Sequence, residues 1–406
     1  MRTKNSIYNI FGVVILYFTK IMVSFIGKTV LIRVMGDEYN GINGLFSNVI
    51  SMLSIAELGI GSAIIYNLYE PVKKNDLAKI KSIMKFYRKC YHAIAGVVFG
   101  AGICTLPFVK SIVGDVAIKE NIYVLYIFFL FDSVASYFLS YKRSLIYVNQ
   151  INYVISIFDM LYVFGSQLLQ VAVLLLTHNY LLYLAVMVIC RLAENIGIHI
   201  YANRRYPFLL DKDVEKVPDN VKKDIVTKVK GLIFHNIGTY VVLGTDNILI
   251  SKLVGIIDVG FYSNYTAILN PLANVLKQAM TAVQSSVGDL LVEKDRQKSF
   301  QVFKRLELIN FWLYTVASVC AFYSIQNFIV LWLGERYLFN EKTIFWLSLN
   351  FWQTGMRNVL AVFKGAAGIY YEDRYVPLAE SLINIMASIV LTLNFGTAGI
   401  LMGTFI

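Results

Sequence analysis

Charged residues and cysteines are scarce in this chain of 406 residues. Only 16% of the residues are charged and 57% are hydrophobic, with a mean hydropathy of +0.60. These proportions exclude a soluble globular domain. The few cysteines have no metal-ligand spacing, so we predict no metal site and expect buried free thiols. They are Cys90, Cys104, Cys190 and Cys320.

Motifs of the common enzyme classes are also missing from the sequence. It contains no Walker loop, no HExxH pattern and no dinucleotide fingerprint. We therefore predict neither an enzyme nor a cofactor. One enzymatic alternative stays open, a membrane glycosyltransferase or polymerase, because such enzymes use lone carboxylates and arginines. The predicted outer loops, none longer than roughly 15 residues, argue against it.

Apolar runs long enough to cross a membrane recur along the whole chain. A helix rises 1.5 Å per residue, so about 20 mainly apolar residues cross roughly 30 Å of hydrocarbon. Alternating segments typical of membrane-spanning strands are not indicated. We predict an all-α, multi-pass membrane protein in which Ile406 falls inside an incomplete twelfth helix. The predicted spans are residues 8–33, 42–66, 90–111, 121–141, 152–177, 180–203, 229–252, 261–286, 306–333, 342–366 and 375–394.

Positive charge is concentrated in alternate loops, those after the second, sixth and eighth predicted spans. Basic loops stay in the cytoplasm during insertion, so we predict a bacterial plasma membrane protein with a cytoplasmic N-terminus. The net charge of +11 is then a topology signal and does not indicate a nucleic-acid partner. The basic loops can also touch anionic membrane lipids.

Part of the sequence recurs after 219 positions, where Gly36 and Gly41 fall on Gly255 and Gly260. Duplicated membrane bundles form many secondary transporters, with the substrate path between the repeats. The repeat therefore predicts two pseudo-symmetric six-helix lobes and favours transport. We expect an N-terminal lobe at 1–203, a cytoplasmic linker at 204–228 and a C-terminal lobe at 229–406.

Several predicted spans contain charged side chains. A charge near the bilayer centre costs about 2.5–3.5 kcal/mol on insertion scales, so such residues usually face a cavity or a partner. Polar residues follow the eighth span at helical spacing, in the series Asn270, Asn274, Lys277, Thr281 and Gln284. We predict a substrate-binding site in a wet cavity, formed by Lys20, Lys277, Arg357 and Arg191.

Arg191 has an alternative role. It is spaced i, i+3 from Glu194 on the sixth span, so the two side chains could neutralise each other. Asp132 and Asp159, on the fourth and fifth spans, could be partners of Arg191, or proton or ion sites.

The 219-residue offset also suggests two charge pairs. Under it, Glu57 falls beside Lys277, and Lys28 falls beside Asp246. We predict that these pairs act as inner and outer gates of an alternating-access cycle, each formed only when its side is closed. Alternatively, Lys28 and Asp246 lie near enough to the outer interface to snorkel.

Residues 33–72 read RVMGDEYNGINGLFSNVISMLSIAELGIGSAIIYNLYEPV. This string resembles the Wzx-type oligosaccharide flippases of polysaccharide biosynthesis, within the multidrug/oligosaccharidyl-lipid/polysaccharide exporter superfamily. Further similarity occurs at TDNILISKLVGIIDVGFYSNY, residues 245–265, and late in the chain. The resemblance implies a MATE-like, V-shaped pair of six-helix lobes. It also implies movement of an undecaprenyl-pyrophosphate-linked oligosaccharide to the outer leaflet for cell-surface polysaccharide synthesis.

A substrate that carries a pyrophosphate needs cationic groups, which Lys20, Lys277 and Arg357 would supply. Two transport alternatives stay open within the same superfamily. One is a cation-coupled multidrug exporter, which favours a carboxylate-rich cavity, and the other is a lipid II flippase. A Na⁺ or H⁺ gradient or the membrane potential could drive the movement, and the sequence does not distinguish them.

Overall fold

Helices dominate the computed structural model of this protein. The structure describes residues 2–53, 60–149, 151–211, 244–281, 283–292, 295–367 and 375–406, together with 215, 217–219, 222 and 223. No strand occurs among these residues, which confirms the all-α prediction.

The chain folds into two compact units. Unit 1 comprises Met1–Tyr39, Phe46–Ser111 and Ala117–Ile233, and unit 2 comprises Asn40–Leu45, Ile112–Val116 and Phe234–Ile406. Part of the predicted linker, including residues 224–228, lies outside the described residues, so the predicted lobe boundaries stay predictions.

The first part of the chain forms a bundle of long helices. In unit 1, α8 and α9 pack on each other, α1 packs along α8, and α6 packs between α4 and α9. Short 3₁₀ helices occupy Leu106–Phe108 and Pro207–Leu210. The α-helices are α1 (Arg2–Met35), α2 (Asp37–Leu53), α3 (Ile60–Lys73), α4 (Leu77–Thr105), α5 (Val109–Val113), α6 (Ile122–Ser140), α7 (Arg143–Val148), α8 (Asn152–Thr177) and α9 (Tyr180–Arg205).

The second part of the chain is also helical. Within unit 2, α13 packs on α14, α15 packs on α16, and α14 contacts α11, α12 and α16. Tyr265, Tyr314 and Phe351 are buried in its apolar core. The helices are α10 (described at residues 244–253), α11 (Ile256–Thr281), α12 (Gln284–Val292), α13 (Arg296–Trp332), α14 (Glu341–Ala367), α15 (Val376–Phe395) and α16 (Thr397–Phe405).

Five helical segments in the described part of the chain are long and apolar enough to cross a membrane, and each overlaps a predicted span. Two others, α11 and α14, have 26 and 27 residues. Both therefore exceed about 30 Å in length, but they carry more polar side chains. The five segments are Leu77–Val113, Ile122–Ser140, Tyr153–Thr177, Tyr180–Arg205 and Arg296–Trp332.

Two predicted spans begin too late in the sequence. The helix predicted from residue 90 begins at Leu77, and the one predicted from residue 306 begins at Arg296. Each has an aspartate N-cap, because Asp76 accepts a hydrogen bond from the Lys79 amide at 3.0 Å and Asp295 accepts one from the Lys298 amide at 2.9 Å. Hydropathy detects only the apolar part of such a helix, whereas lysine and arginine continue it readily.

Two further expectations are wrong. The span predicted at 261–286 ends earlier, because α11 ends at Thr281, Val283 lies in a turn and Gln284 begins α12. The cysteines are free, as predicted, but they are not buried. Cys104 and Cys320 are exposed, and Cys90 and Cys190 are half-buried.

Several helix ends recur at the interval that the sequence repeat predicts. Gly36 separates α1 from α2 with a φ of 98°, and Gly255 precedes α11 with a φ of 150°. Both conformations are strained for residues with a side chain, so glycine is favoured at both junctions between helices. Other ends related by 218 to 220 positions are the positive-φ residues Gly114 and Gly334, the positive-φ residues His178 and Gly396, and the N-caps Asp76 and Asp295.

The repeated glycine segments also supply a close helix contact within unit 2. A Cβ atom on Gly41 would lie 2.1 Å from the carbonyl oxygen of Ile256, so α2 and α11 approach closely there. The Asn40 amide nitrogen donates to the carbonyl oxygen of Gly260 at 2.9 Å and to Oδ1 of Asn264 at 3.0 Å. A buried amide therefore fixes the register of the two helices.

Candidate functional site

Three of the four cations that we predict to bind substrate are exposed. Lys20 lies on α1 in unit 1, and Lys277 lies on α11 in unit 2. Arg357 lies on α14, where its Nη1 is 3.2 Å from Oε2 of Glu380 in a pair whose side chains are 61% and 44% exposed. Because α11 and α14 pack together, Lys277 and Arg357 lie on neighbouring helices.

Lys277 belongs to a polar surface that runs along α11. The polar residues predicted to share one face of this helix are exposed, apart from Gln284, which lies on α12. The buried face of α11 instead contains Tyr265 and Leu269 in the core of unit 2. A helix face rich in amides and a lysine is costly to place against lipid, so it requires water or a polar partner. The exposed polar residues are Asn270, Asn274, Lys277 and Thr281.

Arg191, the fourth predicted cation, is held in an ion cluster inside unit 1. Its Nη1 lies 3.1 Å from Oε2 of Glu194, and its Nε lies 3.5 Å from Oδ1 of Asp132. The guanidinium carbon is 4.0 Å from the centroid of the Tyr162 ring. The predicted pairing of Arg191 with Glu194 is confirmed, and so is that with Asp132.

A second arginine completes this cluster. Nη1 of Arg143 lies 2.8 Å from Oδ1 of Asp159, and its Nη2 lies 2.5 Å from Oε1 of Glu194. Asp159 is therefore a partner of Arg143. The Glu194 side chain is only 2% exposed, so its two oxygens bind both guanidinium groups away from water.

The ion cluster links four helices, namely α6, α7, α8 and α9. Three carboxylates face two guanidinium groups, so the fully ionised cluster carries one excess negative charge among the described residues. We did not identify Arg143 from the sequence, because it follows a predicted span and its partners are distant in sequence. The only feature of the sequence that marks Arg143 is its position, as a basic residue just after an apolar run.

Unit 2 contains a buried carboxylate in very different surroundings. Asp246 on α10 is 5% exposed, and Oγ1 of Thr404 on α16 donates a hydrogen bond to its Oδ1 at 3.0 Å. The amide nitrogen of Asn384 on α15 donates to the same threonine oxygen at 3.1 Å. Asp246 makes no ion pair with any residue that the structure describes.

Two residues related to this carboxylate have buried amide oxygens: Asn384, which is hydrogen-bonded to Thr404, and Asn247, its neighbour in the sequence. Oδ1 of Asn384 and Oδ1 of the neighbouring Asn247 have no hydrogen-bond donor among the described residues. Buried oxygens without a donor are rare in folded proteins and call for an explanation such as an ion or a water molecule. Carboxylate, hydroxyl and amide oxygens together form a ligand set for a small hard cation. Thr404 and Asn384 were not identified from the sequence, because such residues are common in spans.

The predicted gates remain predictions. Lys28 is half-buried on α1, Asp246 has Thr404 as a partner within its own unit, and Glu57 lies outside the described residues.

No family model matches this sequence, and no curated protein matches it. Solved structures match it over 96% of its length. They include an inward-facing multidrug resistance MATE family transporter of the MOP superfamily (TM-score 0.62, 13% identity, 91% of that chain). They also include the lipid II flippase MurJ in an inward closed conformation (TM-score 0.67, 13% identity, 83% of that chain) and a point mutant of the Vibrio cholerae MATE transporter VcmN (TM-score 0.61, 12% identity, 90% of that chain). This chain therefore has the fold shared by MATE transporters and MurJ.

Proposed function

We propose that this protein is a flippase that moves an undecaprenyl-pyrophosphate-linked oligosaccharide across the bacterial plasma membrane by alternating access. The observation that carries the proposal is the exposed polar face of α11, with Lys277 within it and Arg357 on the neighbouring helix. These groups suit a diphosphate, whose oxygens accept charge-assisted hydrogen bonds from lysine and arginine. The fold supports the same conclusion, because MurJ is a lipid II flippase.

The placement of charge favours an anionic headgroup over a cationic drug. Lys20, Lys277 and Arg357 are exposed, whereas Glu194 and Asp246 are buried within their own units and the partly exposed Glu380 is paired with Arg357. A cationic drug, the substrate in the multidrug exporter alternative, would instead require exposed and unpaired carboxylates near these positions.

We further propose that movement is coupled to Na⁺ or H⁺ at Asp246. The carboxylate would bind the cation together with Thr404 and Asn384, whose hydrogen bonds already orient the three groups. A gradient can drive a conformational change only if the ion binds one conformation more tightly than the other. Three helices, α10, α15 and α16, contribute to the site, so any relative movement among them would change its affinity.

Protection of a lipid-linked oligosaccharide from an externally added probe, in vesicles containing the purified protein, tests the flippase proposal. Lys20→Ala, Lys277→Ala and Arg357→Ala each remove one cation. Loss of a charge-assisted hydrogen bond costs about 1.5–3 kcal/mol, so the rate should fall at least about tenfold. Arg305→Ala is the matched control, because it removes an exposed cation of unit 2 from the start of α13 and should leave the rate within about twofold.

Undiminished movement in all three variants would exclude the cationic cavity. Movement of a cationic drug without movement of the oligosaccharide would establish the multidrug exporter instead. Preference for lipid II would change the substrate within the flippase proposal, and sugar incorporation by the purified protein alone would establish the glycosyltransferase.

A further inference from the structure

A basic pocket of about 520 Å³ lies in unit 1, beside the ends of α4, α6 and α9. This volume is within the usual range for small-molecule sites, about 300–1,000 Å³. One wall is the basic part of α4, and the opposite walls are the end of α6, His199 on α9 and the 3₁₀ helix Pro207–Leu210. None of the cations proposed to bind the flippase substrate lines it.

Positive charge predominates on the walls of this pocket. Four cations and one carboxylate line it, so three positive charges are in excess even when both lining histidines are neutral. Lys81 and Asp211 form an ion pair, which neutralises one cation. The charged and titratable lining residues are Lys81, Lys85, Arg88, His92, Tyr141, Lys142, His199 and Asp211.

Lys142 is the buried cation of this set. It is 2% exposed and lies between α6 and α7, where its Nζ donates a hydrogen bond to Oδ1 of Asn203. Asn203 is a neutral partner, and Lys142 makes no ion pair within the described residues. Burial, together with the nearby charge of Arg88, lowers the pKa of Lys142 to about 8. A buried ammonium that lacks a counter-ion destabilises a protein unless a ligand supplies one.

Apolar side chains adjoin the basic groups. Phe138 is 49% exposed and Leu210 is 62% exposed, and both line the pocket. The α4 and α6 helices that form its walls belong to segments long and apolar enough to cross a membrane. The pocket therefore presents a cationic surface beside an apolar one at the end of membrane-spanning helices.

We propose that this pocket binds a phosphate-bearing anion, either the headgroup of an anionic membrane lipid or a soluble phosphate compound. Arg88 offers the planar guanidinium fork that binds phosphate oxygens in pairs, and Lys85 and Lys142 add ammonium donors. The proposal does not depend on the flippase function, because it concerns a different part of unit 1 and a different set of cations.

Two double variants with the same loss of charge test it. Lys85→Gln with Arg88→Gln removes two exposed cations from the pocket wall, whereas Lys73→Gln with Lys89→Gln removes two exposed cations that do not line it. Isothermal titration calorimetry of the detergent-solubilised protein would use two probes, dioctanoyl phosphatidylglycerol and pyrophosphate, with dioctanoyl phosphatidylcholine as the uncharged comparison.

We expect the unmodified protein to bind an anionic probe and the pocket variant to bind it at least about tenfold more weakly, since each lost charged contact is worth about that factor. The control variant should bind within about twofold. Binding of the lipid without competition from pyrophosphate identifies a headgroup site, and direct binding of pyrophosphate identifies a soluble ligand. Binding of neither probe by the unmodified protein, or equal weakening in both double variants, would overturn the proposal.

Discussion

The two units repeat the same helix ends but bury different polar groups. Unit 1 contains the ion cluster, in which Glu194 lies between two arginines. Unit 2 contains Asp246 with a threonine and an asparagine, and no basic side chain pairs with it among the described residues. A duplicated fold can therefore keep its backbone turns while its halves acquire separate chemistry.

Position 27 shows the difference most directly, since Asp246 falls on Gly27 under the 219-residue offset. A Cβ atom on Gly27 would lie 1.8 Å from Oε1 of Gln167 on α8. Unit 1 thus fills the corresponding space with a neutral amide from another helix. The carboxylates of unit 1 are each paired with an arginine, which suits a structural role that holds four helices together. Asp246 of unit 2 has no such partner among the described residues, so it could bind a cation.

The largest predicted effect is on the ion cluster. Glu194→Ala removes the carboxylate that both guanidinium groups share, so Arg143 keeps only Asp159 and Arg191 keeps only Asp132. Each lost hydrogen bond between charged groups costs about 1.5–3 kcal/mol. We expect a marked fall in the thermal unfolding midpoint of the detergent-solubilised protein. Glu70→Ala is the control, because Glu70 pairs with Lys74 on the surface with both side chains more than 60% exposed, and it should not measurably change the midpoint. Equal effects of the two variants would show that the cluster does not hold unit 1 together.

The second prediction concerns the ion response of unit 2. If Na⁺ binds at Asp246, saturating Na⁺ at 100 times its dissociation constant should stabilise the protein by about 2.7 kcal/mol relative to equal ionic strength of choline. Asp246→Asn keeps the shape and the acceptor for Thr404 but removes the charge, so the stabilisation should disappear. Asp132→Asn, in the cluster of unit 1, should retain it.

A proton at Asp246 would give a different pattern. Na⁺ would then have no specific effect, and the unfolding midpoint would depend on pH in the unmodified protein and lose that part of its pH dependence in Asp246→Asn. A full Na⁺ response in Asp246→Asn would show that the ion does not bind at Asp246. Loss of the response in Asp132→Asn alone would place the ion in unit 1 and reverse the comparison.

Much of the fold could be predicted from the sequence, because the helices depend on patterns within short stretches of the chain. The spans follow from apolar runs of sufficient length, and the contact between Arg191 and Glu194 follows from their i, i+3 spacing on one helix. The N-caps of α4 and α13 were missed, since hydropathy does not register a polar helix that continues beyond the membrane.

The polar sites depend on contacts between helices, which single-sequence patterns do not specify. Arg143 reaches Asp159 and Glu194 across two helix interfaces, and no spacing rule links those positions. Thr404 reaches Asp246 and Asn384 only because α16 packs against α10 and α15. The substrate cations Lys20, Lys277 and Arg357 stay predictions, because exposure alone does not show what they bind.

The third prediction compares helix contacts in the two units. Gly403→Ala would place a Cβ atom 2.4 Å from the Ser388 amide nitrogen and 2.6 Å from its Cα, so α15 and α16 would have to separate. Overpacking of this kind costs about 1–3 kcal/mol. In Gly27→Ala the new Cβ atom contacts only the end of the Gln167 side chain, which can rotate away. The higher helix propensity of alanine also stabilises α1 by up to about 1 kcal/mol. Thermal unfolding should therefore detect a clear loss for Gly403→Ala and little change for Gly27→Ala; the opposite ranking would contradict the close backbone contact in unit 2.

The smallest predicted effect tests the repeat itself. Asp76 and Asp295 cap α4 and α13 at positions 219 residues apart, and each accepts a hydrogen bond from the amide of the lysine three residues later. Replacing an aspartate N-cap by alanine costs about 0.5–2 kcal/mol, so Asp76→Ala and Asp295→Ala should each increase hydrogen exchange in the first turn of its own helix. Asp→Asn at the same positions keeps an oxygen acceptor and should restore most of the protection. Because the two caps have the same geometry, the two losses should agree within about 0.5 kcal/mol. If only one of the two Asp→Ala variants lost protection, the two turns would share a position in the repeat but would not contribute equally to stability.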